Sequence, residues 1–289
     1  MDQGGRLSAS PPWSAYRSSL TLRFRLGEHP MIHPSAIIDS SAELAADVEV
    51  GPYAIIGKKV SIGSGTSIGP HAVIGDFTTI GENNQIFHQS SVGAAPQDLK
   101  YRGEECWTRI GDKNIIREFA TIHRGTVTGH GETLVGSGNL FMAYSHVAHD
   151  CRIGNGVVMA NVATLAGHVT VEDNVILGGL VAVHQFSTIG SHAMIGGGTM
   201  VGLDIVPYCI ATSGKRDAKL RGLNLIGLKR RGFSDEAISS LKKAYKTLFM
   251  ANLKLADAIS RIRSETSVCA EVEYMLAFIE RSERGICRG

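Results

Sequence analysis

Histidines and one aspartate are concentrated in the second half of the chain, where they could support acid–base or metal chemistry. The group consists of His146, His149, Asp150, His168 and His184, out of 11 histidines in 289 residues. His149 and His168 are 19 positions apart, and His168 and His184 are 16 apart. A lone histidine more often has a structural role, which we expect for His33, His71, His88 and His192. Recurrence at similar intervals instead predicts a functional site.

Two kinds of chemistry fit such a group. In the first, one histidine is a general base oriented by a carboxylate such as Asp150, and accessible backbone N–H groups stabilise an oxyanion during acyl transfer to a hydroxyl or amine. In the second, three neutral imidazoles bind Zn²⁺ and activate water. Spacing alone leaves both open. Neighbours in a strand point to opposite sides, so His149 and Asp150 can act together only at a corner or across a subunit boundary.

A six-residue repeat predicts the structure that must position these side chains. Every sixth residue from Ile32 to Val92 is aliphatic, often followed by Gly, and every sixth residue from Val135 to Val201 is apolar. Helical periodicity and simple alternation do not produce this pattern, whereas hexapeptide repeats are typical of a parallel β-helix. Three short strands would close each triangular coil, and stacked coils would share one aliphatic core. Since a coil takes about 18 residues, the three histidines at 149, 168 and 184 fall near one corner.

Two interruptions of the repeat predict insertions that leave the coil. The register breaks at 94–109 and again near 124–134, although it holds between them at Ile110, Ile116 and Ile122. Solenoids place such loops on one face, which is often the binding face. Notable residues in the two breaks are Pro96, Gln97, Asp98, Lys100, Tyr101, Trp107, Arg124, Thr126, His130 and Glu132.

The periodicity ends after Gly202, and residues 215–289 differ in character. Ser234 followed by two acids predicts a helix N-terminus, and helical spacing recurs over 255–264 and 268–281. We therefore expect a β-helix domain over 31–214 and a domain of roughly three helices over 215–289. The second domain has 16 Lys and Arg against 9 Asp and Glu. This excess is either a solvated surface or a docking face for an acidic partner or a phosphate group.

Residues 1–30 form a third segment, rich in Arg and Ser and poor in acids. This composition is typical of an organelle transit peptide, and a disordered tail is the alternative.

The five scattered cysteines include no C-x-x-C pair, which disfavours disulfides and a zinc knuckle. There is no apolar run of about 18 residues and no nucleic-acid motif, so we expect neither a transmembrane segment nor a nucleic-acid partner.

Several motifs make the sequence similar to one family of hexapeptide-repeat enzymes. They are Gln97-Asp98-Leu99-Lys100-Tyr101, Ile122-His123-Arg124-Gly125-Thr126, His146-Val147-Ala148-His149-Asp150-Cys151, Thr164-Leu165-Ala166-Gly167-His168-Val169, Ala182-Val183-His184-Gln185-Phe186 and Gly227-Leu228-Lys229-Arg230-Arg231-Gly232-Phe233-Ser234. Over about residues 31–289, the chain resembles the UDP-N-acetylglucosamine O-acyltransferases of lipid A biosynthesis. Many acyltransferases share the repeats, but these motifs combined with a helical tail are specific to that family.

The resemblance implies an all-β solenoid, a left-handed parallel β-helix, with a C-terminal helical domain. It implies a homotrimer whose active sites lie in clefts between neighbouring subunits, with no cofactor and no metal. The implied reaction moves an (R)-3-hydroxyacyl group from acyl carrier protein to the 3-hydroxyl of UDP-N-acetylglucosamine. His149 would be the general base, Asp150 would orient it, and the Gly167 N–H would bind the thioester oxyanion.

The resemblance also implies the substrate contacts. Residues assigned to the sugar nucleotide are Gln97, Asp98, Lys100, His146, His168 and Gln185, with Asn224, Arg230 and Arg231 on the diphosphate and uridine side. His184 would line the mouth of the acyl pocket. Gly197 falls where the family measures chain length, and a glycine there would leave the groove open for a longer acyl chain. Acyl carrier proteins are acidic, so we expect steering by Lys242, Lys243, Lys246 and Lys254.

Two features depart from the family pattern. Residues 1–30 precede the usual start near Met31, which favours a mitochondrial version over a cytoplasmic one. Ile226 replaces an expected acidic residue and puts the nucleotide contact there in question.

Three other functions stay open. The sister N-acyltransferase of the pathway has an N-terminal domain that residues 1–30 are too short to form, whereas a zinc lyase of the carbonic-anhydrase type or a non-catalytic scaffold would use the same solenoid.

Overall fold

A computed structural model describes residues 31–214, 217–264 and 268–289. The predicted transit segment, residues 1–30, lies outside the described residues. From residue 31 to residue 201 the chain winds through triangular coils, in which each strand pairs in parallel with a strand three places away in sequence. The predicted β-helix is therefore confirmed.

Three sheets form the faces of the prism. Face 1 contains β1 (Ile37–Ile38), β4 (Ile55–Ile56), β7 (Val73–Ile74), β10 (Ser91–Ala94), β13 (Thr121–His123), β16 (His146–Val147), β19 (Thr164–Leu165), β22 (Ala182–Val183) and β25 (Met200–Val201). Face 2 contains β2 (Glu43–Leu44), β5 (Ser61–Ile62), β8 (Thr78–Ile80), β11 (Trp107–Ile110), β14 (Glu132–Val135), β17 (Arg152–Ile153), β20 (Thr170–Val171) and β23 (Thr188–Ile189). Face 3 contains β3 (Glu49–Val50), β6 (Ser67–Ile68), β9 (Gln85–Ile86), β12 (Ile115–Ile116), β15 (Leu140–Phe141), β18 (Val158–Met159), β21 (Ile176–Leu177), β24 (Met194–Ile195), β26 (Cys209–Ser213) and β27 (Ala218–Leu223).

The aliphatic repeat forms the core because one residue of each two-residue strand points into the prism. Ile74, Ile116 and Leu165, one turn or more apart on the repeat, are fully buried. Small residues such as Ala72 fill the space inside the corners. Ile32 belongs to the same series but is 44% exposed, because no coil of the described residues lies beneath it.

Each coil turns at three corners. The first corner joins face 1 to face 2, the second joins face 2 to face 3, and the third joins face 3 to face 1. Both insertions leave the first corner, since residues 95–106 connect β10 to β11 and residues 124–131 connect β13 to β14. The prediction that the two insertions share one side of the solenoid is confirmed.

The C-terminal part begins with an antiparallel hairpin of β26 and β27, which extends face 3. The described helices that follow are α1 (Leu225–Arg230), α2 (Asp235–Phe249), α3 (Leu255–Ser264) and α4 (Ala270–Arg281). The Ala237 N–H donates to the Ser234 hydroxyl at 3.1 Å, which confirms the predicted helix start. The sequence analysis missed β27 and α1 because six residues are too few for a periodic signal.

The helices are fixed against the second corner of the β-helix through Glu172. One carboxylate oxygen of Glu172 accepts hydrogen bonds from the Tyr274 hydroxyl at 2.6 Å and the Ser191 hydroxyl at 3.1 Å. The other accepts from Arg281 at 2.6 Å. Within the part of the chain that the structure describes, no helix has both the length and the apolar character needed to cross a bilayer.

Candidate active site

His149 and Asp150 form a hydrogen-bonded pair at the first corner. The backbone of Asp150 has a φ of +59°, so the chain reverses there and both side chains project to the same side. The Nδ1 atom of His149 lies 2.8 Å from Oδ2 of Asp150. The imidazole is 16% exposed and the carboxylate is fully buried. Of the two arrangements left open by the sequence, the structure shows the corner.

The second insertion surrounds the Asp150 carboxylate. Oδ1 accepts hydrogen bonds from the backbone N–H groups of Thr126 at 3.1 Å and His130 at 2.8 Å. Oδ2 accepts from the Thr126 hydroxyl at 2.7 Å as well as from His149. Burial alone would raise the pKa of Asp150, but these hydrogen bonds lower its pKa to about 2. Asp150 therefore remains a carboxylate that holds the Nδ1 proton of His149.

Gly167 lies directly against the His149 ring from the next coil. A Cβ atom at this position would be 2.6 Å from Cε1 and 2.7 Å from Nε2 of His149, so only glycine fits. The Gly167 N–H has no hydrogen-bond acceptor among the described residues. The imidazole and an available N–H donor are thus adjacent, as a base and an oxyanion donor must be.

Further histidines surround the pair. The His168 ring is perpendicular to that of His149 with centroids 5.2 Å apart, and its Nε2 lies 3.8 Å from Oδ2 of Asp150. His146, on face 1, has Nδ1 2.7 Å from the Thr121 hydroxyl, and its ring packs edge-on against that of His123 at 4.9 Å. Burial lowers the pKa of His146 and of His168, and lowers that of His123 to about 4. These three rings are therefore neutral near pH 7.

The first insertion brings an acidic side chain toward this group. The Asp98 carboxylate is close enough to His168 to favour its protonated form and so oppose the burial effect on its pKa. Lys100 donates its backbone N–H to Asp98 at 2.9 Å. Gln97 and Lys100 have exposed side chains, and Leu99 at the tip of the loop is 94% exposed.

The strand register also places His184 and Gln185 at the first corner. The His168 N–H donates to the His149 carbonyl at 3.0 Å, and the Phe186 N–H donates to the Gly167 carbonyl at 3.3 Å. Residues that are one coil apart therefore stack on one another in columns along this corner. His149, Gly167 and Gln185 form the middle column. His168 stacks on Phe186 at 4.5 Å, whereas His184 contacts Arg284 from the C-terminal tail.

The remaining residues implied by the resemblance lie at other corners. The Asn224 side chain accepts from the Gly227 N–H at 3.1 Å at the start of α1 and donates to the His192 carbonyl at 3.0 Å, at the second corner. Arg231 hydrogen-bonds Asn174 at the same corner. Arg230 precedes it and is exposed. Gly197 lies at the third corner, where a Cβ atom would meet the Gly179 carbonyl oxygen at 3.1 Å.

The zinc alternative requires ligand atoms with free lone pairs. His149, Asp150 and His168 each have one potential ligand atom, and these three atoms lie within 4.8 Å of one another. However, each Asp150 oxygen already accepts two hydrogen bonds, and His149 Nδ1 is one of the donors. The set has two imidazoles rather than the three considered from the sequence, so the residues present fit a zinc ion poorly.

Sequence reasoning missed the groups that support the pair rather than the pair itself. Thr126 and His130 were noted as insertion residues, but their bonds to Asp150 join positions 24 and 20 residues apart. Gly129 was not singled out, although a Cβ there would collide with the Asp150 carboxylate. No periodic signal in the insertion could have identified these contacts.

Comparisons with known proteins agree on one family. A family model described as UDP N-acetylglucosamine O-acyltransferase, domain 2, matches residues 204–287, and a model described as bacterial transferase hexapeptide (six repeats) matches residues 41–76. The acyl-[acyl-carrier-protein]–UDP-N-acetylglucosamine O-acyltransferase of Trichlorobacter lovleyi is 76% identical over 259 residues, covering 89% of this chain and 99% of that protein.

Solved structures give the same result. LpxA from Acinetobacter baumannii matches with a TM-score of 0.86 and 46% identity over 90% of this chain and 100% of its own. The UDP-N-acetylglucosamine acyltransferase of Arabidopsis matches with a TM-score of 0.74 and 38% identity over 89% of this chain and 99% of its own. The left-handed parallel β-helix with C-terminal helices is thereby confirmed as the fold class.

Proposed function

The chain belongs to the UDP-N-acetylglucosamine O-acyltransferase family, and from this premise we propose how its own residues carry out the reaction. The enzyme moves a 3-hydroxyacyl group from acyl carrier protein to the 3-hydroxyl of UDP-N-acetylglucosamine, the first step of lipid A biosynthesis. The observation that carries the mechanism is the 2.8 Å contact between His149 Nδ1 and the buried Asp150 carboxylate.

Asp150 determines which nitrogen of His149 is the base. Its carboxylate accepts a hydrogen bond from the Nδ1–H of His149, so Nε2 is unprotonated and can take the proton of the sugar hydroxyl. The resulting alkoxide oxygen attacks the thioester carbonyl carbon. When the tetrahedral intermediate collapses, the carbon–sulfur bond breaks and the leaving thiolate takes the proton back from His149. The buried charge of Asp150 stabilises the imidazolium between these steps.

The Gly167 N–H supports the proposed oxyanion contact. It lies beside the His149 ring and has no acceptor among the described residues. A donor that is already in place at the developing negative charge lowers the barrier without reorganisation, an effect worth about 3–4 kcal/mol in other acyl-transfer sites.

We propose that the active site is completed by a neighbouring subunit of a homotrimer. His149 and Asp98 lie at the first corner, whereas Arg230 and Arg231, suited to the diphosphate by their planar donors, lie near the second. The third corner carries a column of exposed apolar side chains, which is typical of an interface. The column consists of Tyr53, Phe119, Tyr144, Val162 and Leu180.

The acyl chain is proposed to enter past His184 and run toward Gly197. Around Gly197 the third corner is built of glycines, including Gly178, Gly179, Gly196 and Gly198. At Gly198 a Cβ atom would meet nothing within 4 Å, so the corner is open there, which supports a longer acyl chain. Gln185, above Gly167 in the same column, would contact the sugar nucleotide.

The acidic carrier protein is proposed to approach the basic helices. Lys242, Lys243 and Lys246 lie on α2, and Lys254 follows it. Long-range attraction of this kind mainly raises the association rate and depends on salt.

Ile226 is 69% exposed in α1 and offers no acidic group to the nucleotide, so we assign that side of the nucleotide to Arg230 and Arg231.

Replacing the proposed base tests the mechanism. We expect His149→Ala to lower the acyl-transfer rate by roughly 10²–10⁴-fold with little change in thermal unfolding, because a corner histidine contributes little to the core. His33→Ala, in the first coil, is the control and should keep full turnover. Both are assayed with UDP-N-acetylglucosamine and a series of 3-hydroxyacyl carrier proteins.

The same assay separates the alternatives. Full activity of His149→Ala would exclude it as the base, and no activity in the parent enzyme would favour a scaffold. Stoichiometric zinc in the purified protein, with activity lost to a chelator, would favour the metal lyase. We expect activity that survives the chelator.

For the compartment we propose the cytoplasm over the mitochondrion, because the curated relatives of 76% and 54% identity are bacterial. The expectation of mitochondrial targeting rests on the composition of residues 1–30 and on their position before the usual start of the family. Fusing these residues to a fluorescent protein and following its import into isolated mitochondria tests it, and import would overturn the cytoplasmic assignment.

A further inference from the structure

We propose that Arg284 is a positioning residue that fixes the tautomer of His184. Arg284 follows the last helix, 100 residues after its partner in sequence. The proposal rests on the proposed function, in which His184 lies at the mouth of the acyl pocket. It adds a specific protonation pattern to that role.

Two neighbours make opposite demands on His184 Nδ1. The carbonyl oxygen of Gln185 lies 3.1 Å away and requires Nδ1 to donate. The Nη2 atom of Arg284 lies 2.8 Å away and requires Nδ1 to accept, since a guanidinium has only donors and stays charged. Both bonds cannot exist together. The bond from Arg284 is shorter and charge-assisted, and is therefore the stronger of the two. It requires an unprotonated Nδ1, so the proton is on Nε2.

Arg284 is held in place by a well-bonded tail. Its Nε donates to the Gly202 carbonyl at 2.6 Å. On either side of Arg284, the Ser282 hydroxyl donates to Asp204 at 2.6 Å, and the Cys287 N–H donates to the Asp204 carbonyl at 2.8 Å. The tail is thus attached to the end of the β-helix, and the guanidinium reaches His184 from a fixed direction.

The partners of His149 and His184 give these histidines opposite functions. A carboxylate on Nδ1 of His149 leaves Nε2 as a proton acceptor, whereas a guanidinium on Nδ1 of His184 leaves Nε2 as a donor. His149 therefore removes a proton, and His184 presents an N–H to an oxygen of the acyl donor. One corner holds a base and a hydrogen-bond donor made from the same residue type.

The tautomer can be measured independently of activity. Histidine is labelled with ¹⁵N in the full-length enzyme, and the His184 signals are assigned by their loss in His184→Gln. We expect an unprotonated Nδ1 in the parent. In Arg284→Met, which keeps the stem but has no donor, Nδ1 should gain the proton and donate to Gln185. Arg284→Ala is a second donor-free variant in case the first does not fold.

Two further variants complete the test. Arg284→Lys keeps a charged donor and should restore the Nε2–H tautomer. Arg288→Met, in the same tail but lining the groove with Lys219 and Arg221, should leave the tautomer unchanged. We expect kcat/KM for the acyl carrier substrate to fall about tenfold in Arg284→Met, the size of a lost charged hydrogen bond, and to be unaffected in Arg288→Met.

The outcomes separate this proposal from the one on which it rests. An unchanged tautomer in the donor-free variants would overturn it. A changed tautomer with unchanged kcat/KM would overturn the role in acyl transfer, while His149→Ala still tests the general mechanism. If the parent transfers no acyl group, the proposed function fails, and the tautomer shift alone would show whether Arg284 controls His184.

Discussion

At the scale of single residues, the site depends on a buried charge that is fully hydrogen-bonded. Asp150 has no exposed surface in its side chain, and an unpaired carboxylate in that position would be strongly destabilising. Four donors from three residues satisfy it. Hydrogen bonds from the second insertion thus offset the desolvation of the Asp150 carboxylate. The carboxylate in turn fixes the orientation and the tautomer of His149.

The protonation of the Asp150 carboxylate should be visible in the pH dependence of the unfolding free energy. Its folded pKa, about 2, lies below the ordinary value of 3.8. A lowered pKa stabilises the fold above about pH 4, and this contribution disappears as the pH falls toward 2. We expect the difference in unfolding free energy between the parent and Asp150→Asn to narrow by about 2 kcal/mol between about pH 5 and pH 2. Urea titrations at intermediate pH values measure it.

A constant difference across this range would contradict the role of Asp150 as the stabilised anion. Asp173→Asn is a suitable comparison, since Asp173 is also an acceptor, from the Asn155 N–H at 2.7 Å, but lies on the second corner away from the insertion. Loss of acyl transfer in Asp150→Asn alone would tie the same group to catalysis.

The sequence predicted a site containing His149 and Asp150 because the hexapeptide repeat assigns every residue a place on the coil. Once a coil of about 18 residues is accepted, neighbouring positions 149, 168 and 184 must share a corner. The insertions have no period, so nothing in the sequence could predict that Thr126 and His130 point their N–H groups at Asp150. The contact of Arg284 with His184 joins the tail to the solenoid and was equally inaccessible.

At the scale of elements, the second insertion works as a cap over the buried acid. Gly129 is in direct contact with the Asp150 carboxylate, whereas the region around Gly131 is open, with a φ of +72°. These two glycines differ in why a side chain is excluded. At 129 the obstacle is the carboxylate, and at 131 it is only the backbone conformation.

Alanine at each position separates the two effects. Gly129→Ala should displace the cap, weaken the bonds to Asp150 and lower acyl transfer at least tenfold. Gly131→Ala should cost about 1 kcal/mol of stability, the usual penalty for a left-handed backbone, with acyl transfer nearly unchanged. Thermal unfolding and initial rates measure both. Equal activity of the two variants would show that the cap does not position Asp150.

The C-terminal elements show the limit of pattern reading. Ser234 and the apolar spacing after it predicted α2 correctly, because a fifteen-residue helix repeats its pattern several times. The strand β27 and the helix α1 each have six residues and gave no signal. Their location became clear only from pairing with β26 and from the Asn224 cap.

At the scale of the whole molecule, the prism separates residues that one substrate is proposed to contact together. The proposed base lies at the first corner, and Arg231 lies at the second, beside Asn174. If each site combines the first corner of one subunit with the second corner of its neighbour, two different inactive variants can together form an intact site. His149→Ala retains an intact Arg231, and Arg231→Ala retains an intact His149.

Co-expression of these two variants tests the shared site. Each variant alone should be nearly inactive. An unfractionated random mixture of equal amounts should recover about a quarter of the parent activity, and purified mixed trimers about a third, because each mixed trimer has one intact shared site of three. Differently tagged chains allow the mixed assemblies to be purified and assayed. His149→Ala mixed with Asp150→Asn is the matched control, since both changes damage the same corner and no recovery is expected. Failure of the first pair to recover, with mixed trimers present, would show that each subunit holds a complete site of its own.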